Sequence, residues 1–180
     1  MFIDVDANFP VMRSLEPHFQ TIRDEALALS LDDYQEYFEP REYSGSWKLF
    51  ILYSCFPDWQ FARFAEENRR KCPKTWELVK DIPDKVLVAF SYIAPLTHIY
   101  PHFDGVFDAE GGIHSARCHM GIKVPEGCPI RVGQAFSEYQ EGRFLAFDGG
   151  RYEHEVGNRS NEDRVTLCVE VKYHLDRLVE

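Results

Sequence analysis

The length, composition and charge of the chain exclude several classes of protein. Its 180 residues are enough for one domain with a sizeable core, and 44 % hydrophobic with 28 % charged residues is an ordinary globular balance. The formal net charge of −10 argues against a nucleic-acid partner, because an acidic surface repels phosphate backbones.

The apolar pattern and the cysteines bear on the cellular compartment. The sequence begins without the basic region and apolar run of a signal peptide, and no apolar stretch approaches membrane-spanning length. The five cysteines are odd in number and lack Cys-x-x-Cys spacing, which gives no support to a disulfide or zinc-finger framework. We therefore expect a soluble, cytoplasmic protein with reduced cysteines and no membrane or nucleic-acid partner.

Helical spacing of apolar residues marks the first part of the chain. We predict helices over residues 17–30, 59–70 and 74–80, the last with Pro73 where a helix can begin. The amino-terminal part, over about residues 1–80, is therefore expected to be mainly helical.

Strand patterns begin at Trp47. The predicted strands are residues 47–53, 85–93, 117–124, 129–133, 143–147 and 164–173. The run at 85–93 is almost continuously apolar, as in a strand buried on both faces, whereas 117–124 and 164–173 alternate. We predict one domain over residues 1–180, mainly β, with an antiparallel jelly roll over about residues 84–175 and the early helices on its outer face.

A possible metal site begins in the sequence Pro-His-Phe-Asp-Gly. His102 and Asp104 are two residues apart, so on an extended strand their side chains point the same way and can reach one metal ion. The best candidate for a third ligand is His154, just before a short strand. Two histidines and one carboxylate form the facial triad of non-haem iron oxygenases, which leaves three metal positions open.

Two other strands carry polar side chains on one face. Arg164 opens the last long strand, ten residues after His154, and shares its face with small residues that leave space. A guanidinium group in that position could bind a carboxylate through a bidentate pair. Arg117 and His119 form a second polar face, with Gly121 beside them leaving room.

The segment from about Ser91 to Tyr173 resembles the aspartyl/asparaginyl β-hydroxylase family and, close to it, the bacterial cis-proline hydroxylases. The resemblance rests on five motifs in the family's order: Arg-x-His, Pro-x-Gly, Glu-Gly-x4-Phe-Asp, His-Glu-Val and His-x9-Arg. It implies a double-stranded β-helix, which is a cupin-like jelly roll, with bound Fe(II), 2-oxoglutarate and O2 as co-substrates, and hydroxylation of an aliphatic carbon.

The resemblance also implies residue roles. It implies that His102 and His154 bind the iron and that Arg164, with Ser91, binds the distal carboxylate of 2-oxoglutarate. It also implies that His119 contacts the co-substrate near the iron and that Arg117 binds an acidic group of the substrate or co-substrate. Two features depart from the animal aspartyl hydroxylases. Those enzymes lack a carboxylate two residues after the first histidine, which Asp104 supplies here, and the loop over residues 105–116 is longer in this chain.

Several of these residues have other possible roles. Asp104 could be a turn residue, since Asp before Gly is a common turn pair. The further alternatives are His98 as a metal partner of His102 and Arg164 as a surface residue paired with Glu162 or Asp163. Asp148 is a rival carboxylate, although its place before Gly149 and Gly150 favours a turn. His114 is expected to be a solvent-exposed loop residue or, alternatively, a lid residue that touches substrate.

The leading functional hypothesis is an Fe(II)- and 2-oxoglutarate-dependent dioxygenase that hydroxylates a small amino acid or a similar carboxylate metabolite. A second hypothesis is a cupin-like module that binds a metal without turnover. A third is a zinc-dependent isomerase or hydrolase on the same barrel, which would need a general base, and Glu153 or Glu155 are the candidates nearest in sequence.

Overall fold

The computed structural model describes residues 1–105 and 112–179, with short α-helices among the early strands and consecutive strands from Lys85 to His174. The strands of these residues are β1 Phe2–Ile3, β2 Gln35–Glu36, β3 Tyr43–Ser44, β4 Trp47–Ser54, β5 Lys85–Ile93, β6 Thr97–His102, β7 Ile113–Lys123, β8 Pro129–Val132, β9 Ala135–Glu138, β10 Phe144–Phe147, β11 His154–Asn158 and β12 Arg164–His174. The α-helices are α1 Val5–Asn8, α2 Pro10–Leu15, α3 Phe19–Ala28, α4 Ala65–Lys71 and α5 Pro73–Val79.

The strands form two antiparallel sheets. A seven-stranded sheet has the order β1-β10-β7-β12-β5-β4-β2, and a five-stranded sheet has the order β3-β6-β11-β8-β9. Apolar side chains from both sheets, among them Ile93, Phe147, Ile130 and Val156, form one buried cluster that joins them. The predicted fold class, a mainly β jelly roll with amino-terminal helices, is confirmed.

Helices α2, α3 and α5 pack against the outer face of the large sheet, whereas Ala65 of α4 is buried with Leu49, Ile51 and Ala89 of the opposite face. Met12 of α2 and Ile22 of α3 are fully buried in one cluster with Phe50, Phe90 and Leu167 from the central strands. Burying each such side chain stabilises the fold by about 1.5–3 kcal/mol, so α2 and α3 are held on the outer face as predicted, while α4 departs from that prediction. No helix in the described part of the chain is long and apolar enough to cross a membrane.

The inner face of the large sheet carries the polar residues. Along β12 the outward positions 165, 167, 169 and 171 are apolar, and the alternate positions turn inward because side chains on a strand alternate. The ladder pairs Arg164 with Ile93, Thr166 with Ser91, and Glu170 with Arg117. The inward residues of β12 from Arg164 to Glu170 are all buried, although two of them, Arg164 and Glu170, are charged. The inner face of the large sheet therefore carries buried charged and polar side chains, whereas the outer face is apolar.

Most predicted elements correspond to observed ones. The strand predicted at 85–93 has the bounds of β5 and is buried along nearly its whole length, and the strand predicted at 164–173 is β12. The helix predicted at 17–30 is the shorter α3, and the one at 59–70 begins with a 3-10 turn at Ala62–Phe64 before α4.

One residue assignment in the long loop was wrong. His114 was expected in a solvent-exposed loop, but β7 begins at Ile113 and His114 is buried beside Tyr173. The strand extends beyond the predicted residues 117–124 because ten pairs with β12 continue to its first residue. Residues 106–111 of the predicted loop 105–116 lie outside the described residues.

Candidate active site

Three potential metal ligands converge where β6 ends and β11 begins. His102 is the last residue of β6, His154 is the first residue of β11, and the antiparallel ladder pairs them. Asp104 Oδ2 lies 3.4 Å from His154 Nε2, and Asp104 Oδ1 lies 4.0 Å from His102 Nε2. One ligand atom of each residue lies within 4.8 Å of the other two. The structure thus brings together the three residues predicted to bind metal.

Backbone carbonyl groups orient both imidazoles. His102 Nδ1 lies 2.7 Å from the carbonyl oxygen of Tyr100, and His154 Nδ1 lies 3.3 Å from that of Tyr152. A carbonyl oxygen only accepts hydrogen bonds, so each Nδ1 carries the proton and each Nε2 presents a lone pair. Burial lowers the pKa of His154 to about 4, which keeps this ring neutral near pH 7. Imidazoles held through Nδ1 in this way, with Nε2 directed to the metal, are the usual form of histidine ligands.

A tight turn positions the carboxylate. The backbone N–H of Asp104 donates to the carbonyl oxygen of Gly149 at 2.9 Å. Asp148 begins this turn and accepts two of its backbone N–H groups on Oδ1, both at 2.9 Å, and the Tyr173 hydroxyl on Oδ2 at 2.5 Å. Asp148 therefore stabilises the turn, as its Asp-Gly-Gly sequence favours. Its carboxylate oxygens accept hydrogen bonds from the turn and from Tyr173 and do not face the metal ligands.

Arg117 is paired within the protein. Its Nε donates to Asp104 Oδ2 at 2.6 Å, and its Nη1 lies 3.5 Å from Glu170 Oε2. Burial alone would raise the pKa of Asp104, but the charge of Arg117, its hydrogen bond to the carboxylate and the neighbouring imidazoles of His154 and His102 outweigh burial, and the pKa is lowered. The arginine predicted to hold an acidic group of a ligand thus faces two carboxylates of the chain itself, and it keeps Asp104 ionised for a cation.

Arg164 is buried without full satisfaction of its guanidinium group. Its exposed fraction is 1 %, and its carbon Cζ lies 4.0 Å from the centroid of the Tyr139 ring. Within the described part of the chain, its Nε and Nη2 have no hydrogen-bond partner. Burying N–H groups of a charged residue unpaired is costly, so this arrangement is typical of a site whose ligand supplies the acceptors.

The turn before β12 explains why Arg164 points inward. The amide of Asn158 donates to three carbonyl groups, at residues 93, 94 and 162, and so fixes the chain just ahead of β12. Asp163 accepts the hydroxyl of Tyr92 at 2.7 Å, and Glu162 faces Lys123. The alternative of Arg164 as a surface residue paired with Glu162 or Asp163 is therefore wrong.

Two predicted co-substrate residues lie on the same inner face. His119 Nδ1 is 3.1 Å from the Tyr139 hydroxyl, and burial together with the charge of Arg164 lowers the His119 pKa well below its usual value. Ser91 Oγ accepts the indole N–H of Trp47 at 3.1 Å, which leaves the Ser91 hydroxyl proton for another acceptor. Both residues therefore offer neutral polar groups near Arg164.

One cavity of about 460 Å³ connects these groups. It is lined by the three potential ligands, by Arg117, His119, Ser91 and Arg164, and by an apolar region over β4 and β5. We call that region the apolar arm; it consists of Leu49, Phe56, Trp59, Val86, Leu87 and Ala89. A volume of this size is in the usual range for a small-molecule site.

The outer side of β11 carries a separate ionic cluster. Glu155 contacts Arg131 and lies 2.7 Å from His98 Nε2, and Glu153 lies 2.9 Å from Arg131. Because β11 alternates, Glu155 points away from the cavity that His154 enters. His98 does not join the metal ligands, and neither glutamate stands among the residues that line the cavity.

Some residues that line the cavity were not identified from the sequence. Tyr139 comes from an irregular segment between β9 and β10, where no periodic pattern exists, and Tyr37 comes from the distant amino-terminal part. Glu170 was predictable, because it shares the alternating face of β12 with Arg164. Gly149 was noted only as part of a turn, although a Cβ atom there would lie 2.0 Å from Asp104 Oδ2.

Solved structures resemble the fold at low sequence identity. A viral collagen prolyl hydroxylase from Paramecium Bursaria Chlorella virus-1, solved as a 2OG complex, superposes with a TM-score of 0.51 at 12 % identity, covering 83 % of this chain and 88 % of that one. A 2OG-Fe(II) oxygenase family oxidoreductase from Burkholderia pseudomallei gives 0.52 at 9 % identity, covering 84 % and 77 %. These likenesses support the jelly-roll fold.

Sequence comparison identifies the family. The human aspartyl/asparaginyl beta-hydroxylase is 31 % identical over 171 residues, which is 89 % of this chain and 21 % of that protein. The ornithine lipid ester-linked acyl 2-hydroxylase of Rhizobium tropici is 30 % identical over 183 residues, 93 % of this chain and 55 % of that protein. The chain thus spans from about a fifth to about half of these relatives. The model of the family described as Aspartyl/Asparaginyl beta-hydroxylase matches residues 16–173, and the chain belongs to that family.

Proposed function

We propose that this protein is an Fe(II)- and 2-oxoglutarate-dependent dioxygenase in which His102, Asp104 and His154 bind the iron. The observation that carries the proposal is the presence, in one cavity, of a two-histidine, one-carboxylate set and a buried arginine with unpaired N–H groups. Such a set leaves metal positions open for a co-substrate and O2. Membership of a hydroxylase family supports hydroxylase-type activity.

Arg164 is the proposed anchor for 2-oxoglutarate. Its Nε and Nη2 form one edge of the planar guanidinium group, and a carboxylate can accept both N–H groups in a bidentate pair. Ser91 pairs with Thr166, two residues beyond Arg164 on β12, and has a hydroxyl proton to donate to the same carboxylate. His119 lies on the same inner face, and as a neutral ring it can contact the co-substrate without repelling Arg164.

The overall reaction defines what the chain must do. Iron bound to the three ligands would activate O2. The substrate C–H, O2 and 2-oxoglutarate would then give C–OH, succinate and CO2, with one oxygen atom of O2 entering the hydroxylated product and the other entering succinate. The chain holds the ligands, keeps Asp104 ionised through Arg117, orients the co-substrate through Arg164, and keeps the reacting groups away from bulk water.

The identity of the prime substrate remains a prediction. A small amino acid or similar carboxylate was expected from the size of the chain and from Arg117 and Arg164. Such a substrate would have to compete with Asp104 and Glu170 for Arg117, since Arg164 is assigned to 2-oxoglutarate. We also propose that residues 1–180 form a single domain and that the protein is cytoplasmic.

The test is an anaerobic titration of the metal-free protein with Fe(II) and then 2-oxoglutarate, followed by the weak visible charge-transfer band of the chelate. We expect the band with the unaltered protein, its loss in His102→Ala, Asp104→Ala and His154→Ala, and a much higher 2-oxoglutarate requirement in Arg164→Ala. His98→Ala is the matched control, because His98 lies on the same strand as His102 but pairs with Glu155 outside the cavity.

Absence of the charge-transfer band in the unaltered protein would contradict the proposal. If the unaltered protein binds Fe(II) but gives no band at saturating 2-oxoglutarate, the co-substrate assignment fails. Activity with zinc in the absence of O2 would then favour an isomerase or hydrolase, and metal binding without turnover would favour the cupin-like binding module.

A further inference from the structure

Tyr139 lies between two residues that are proposed to contact 2-oxoglutarate. It belongs to the segment between β9 and β10, is buried, and lines the cavity. Its hydroxyl oxygen lies 3.1 Å from His119 Nδ1, and its ring centroid lies 4.0 Å from Cζ of Arg164. One side chain thus contacts both the imidazole and the guanidinium group of the cavity wall.

We propose that Tyr139 is a positioning residue that fixes the tautomer and the ring orientation of His119, so that His119 presents its Nε2–H group to 2-oxoglutarate. The inference rests on the proposed function and deepens it, because it identifies the side chain that prepares a donor for the co-substrate. Tyr139 acts through His119 and does not itself contact the reacting atoms.

The groups around the Tyr139 hydroxyl determine the direction of its hydrogen bond. Burial raises the pKa of Tyr139 to about 12 despite the nearby charge of Arg164, so the phenol keeps its proton at neutral pH. The guanidinium group of Arg164 only donates hydrogen bonds, whereas an unprotonated imidazole nitrogen accepts them. Tyr139 therefore donates to Nδ1 of His119.

The His119 ring carries a single proton. Burial, together with the charges of Arg164 and Arg117, lowers the His119 pKa well below its usual value, so the imidazole is neutral. A neutral imidazole that accepts at Nδ1 has its proton on Nε2. An N–H group on the cavity wall stabilises an anionic oxygen of a ligand, whereas the lone pair of the other tautomer would repel it.

Two aromatic rings flank His119. The ring of Tyr139 is inclined by 15° to the imidazole, with the centroids 6.0 Å apart, and the ring of Phe147 meets the imidazole edge-on at 5.3 Å and 84°. A phenyl ring offers no conventional hydrogen-bond donor or acceptor to Nδ1. The polar restraint on the imidazole at this edge therefore comes from the Tyr139 hydroxyl.

The segment that carries Tyr139 is anchored on β7, two residues from His119. The backbone N–H of Gly142 donates to the carbonyl oxygen of Gly121 at 2.9 Å. A Cβ atom on Gly121 would lie 2.6 Å from the carbonyl oxygen of Gln140, so the glycine lets this segment approach the strand. Because Gly121 and His119 share one face of β7, the close approach places Tyr139 beside the imidazole.

The first measurement is the long-range proton–nitrogen correlation spectrum of the metal-free protein with isotope-labelled histidine. The protonated and unprotonated nitrogens of a neutral imidazole have well separated chemical shifts, and the His119 signals are assigned by their absence in His119→Gln. We expect a proton on Nε2 in the unaltered protein. Tyr139→Phe keeps the ring beside Arg164 but removes the hydroxyl, so the tautomer with the proton on Nδ1 should become populated.

The second measurement is anaerobic calorimetric titration of the Fe(II)-loaded protein with 2-oxoglutarate. Tyr139→Phe should weaken 2-oxoglutarate binding about two- to fivefold and leave Fe(II) affinity unchanged, because only molecules with the competent tautomer and ring orientation bind. Tyr43→Phe is the matched control. It also removes a hydroxyl that a buried tyrosine uses in a hydrogen bond, here to Glu36, but Tyr43 is not among the residues that line the cavity. Both measurements should be unchanged in this control.

A double variant separates action through His119 from direct contact with the co-substrate. In a His119→Ala background, Tyr139→Phe should cause no further loss of 2-oxoglutarate affinity, because the residue through which the hydroxyl acts is already absent. An equal loss in both backgrounds would mean that the hydroxyl itself binds 2-oxoglutarate, and the positioning role would be wrong.

Two further results would overturn the inference, and they differ from failure of the proposed function. One is a proton on Nδ1 of His119 in the unaltered protein. The other is a Tyr139→Phe variant in which either the tautomer or the 2-oxoglutarate affinity is unchanged. The spectrum is recorded without metal or co-substrate, whereas absence of the charge-transfer band in the unaltered protein refutes the oxygenase assignment itself, whichever tautomer His119 adopts.

Discussion

The carbonyl oxygen of Gly149 accepts the backbone N–H of Asp104 at 2.9 Å, and a Cβ atom on Gly149 would lie 2.0 Å from Asp104 Oδ2. The turn thus holds the main chain of Asp104 and at the same time leaves space for its carboxylate. The same hypothetical Cβ atom would lie 2.8 Å from Cε1 of His154. Two potential metal ligands therefore depend on the absence of a side chain at one position.

Gly149→Ala should impair metal binding while the fold survives. The added methyl group must displace the Asp104 carboxylate or the His154 ring, and a loss of about 10- to 100-fold in Fe(II) affinity is expected from such a disturbance of ligand geometry. Calorimetric titration with Fe(II) measures it. Gly157→Ala is the matched control on β11, because a Cβ atom there would meet nothing closer than 3.9 Å. Equal affinities in the two variants would contradict the positioning role of Gly149.

The contact between Tyr173 and Asp148 should matter for the same turn. Tyr173→Phe removes the hydroxyl that donates to the buried Asp148 Oδ2, and we expect a loss of about 1–3 kcal/mol in the free energy of unfolding. Urea denaturation of the metal-free protein measures this loss. Fe(II) affinity should also fall, because the turn that seats Asp104 loses one of its anchors. Tyr100→Phe, at an exposed residue of β6, should change the stability little.

Glu170 should stabilise Arg117 rather than bind metal. Glu170→Gln removes the charge of one of the two carboxylates that face the partly buried guanidinium group of Arg117, so the free energy of unfolding should fall by about 1–3 kcal/mol while Fe(II) affinity stays nearly constant. Glu153→Gln is the control, since its pair with Arg131 is half exposed and such pairs contribute little. A loss of iron binding in Glu170→Gln would instead make Glu170 part of the metal site.

Alternation along strands made the polar half of the site predictable. His102 and Asp104 share a side because they are two residues apart, and the same period placed Arg164 opposite the apolar stripe of β12. His154 required more, since its pairing with His102 is a long-range contact, and its assignment rested on its place before a short strand and on the family's motifs. Local patterns of this kind specify which face a residue occupies and leave open what lies across from it.

The apolar arm could not be predicted in that way. Leu49 and Ala89 are ordinary strand residues in the sequence, and their place in the cavity lining depends on the order β12-β5-β4, which brings them beside the polar residues of β12. Tyr139 is likewise brought to Arg164 from an irregular segment. The expectation of an amino acid substrate came from the small size of the chain and from Arg117 and Arg164, whereas the carboxylates that pair with Arg117 are evident only in the structure.

Arg164→Met should separate stability from co-substrate binding. Replacing a buried and incompletely paired cation by an apolar side chain of similar length should leave the metal-free protein as stable as before, or stabilise it by about 1–4 kcal/mol. The added stability that 2-oxoglutarate and Fe(II) give the unaltered protein should disappear, because the distal carboxylate loses its partner. Urea denaturation with and without 2-oxoglutarate measures both effects. Arg143→Met, at an exposed arginine paired with Glu16, should retain the stabilisation by 2-oxoglutarate. If Arg164→Met still gains that stability, the carboxylate anchor lies elsewhere; if the metal-free variant is strongly destabilised, Arg164 is a structural residue whose charge the protein itself satisfies.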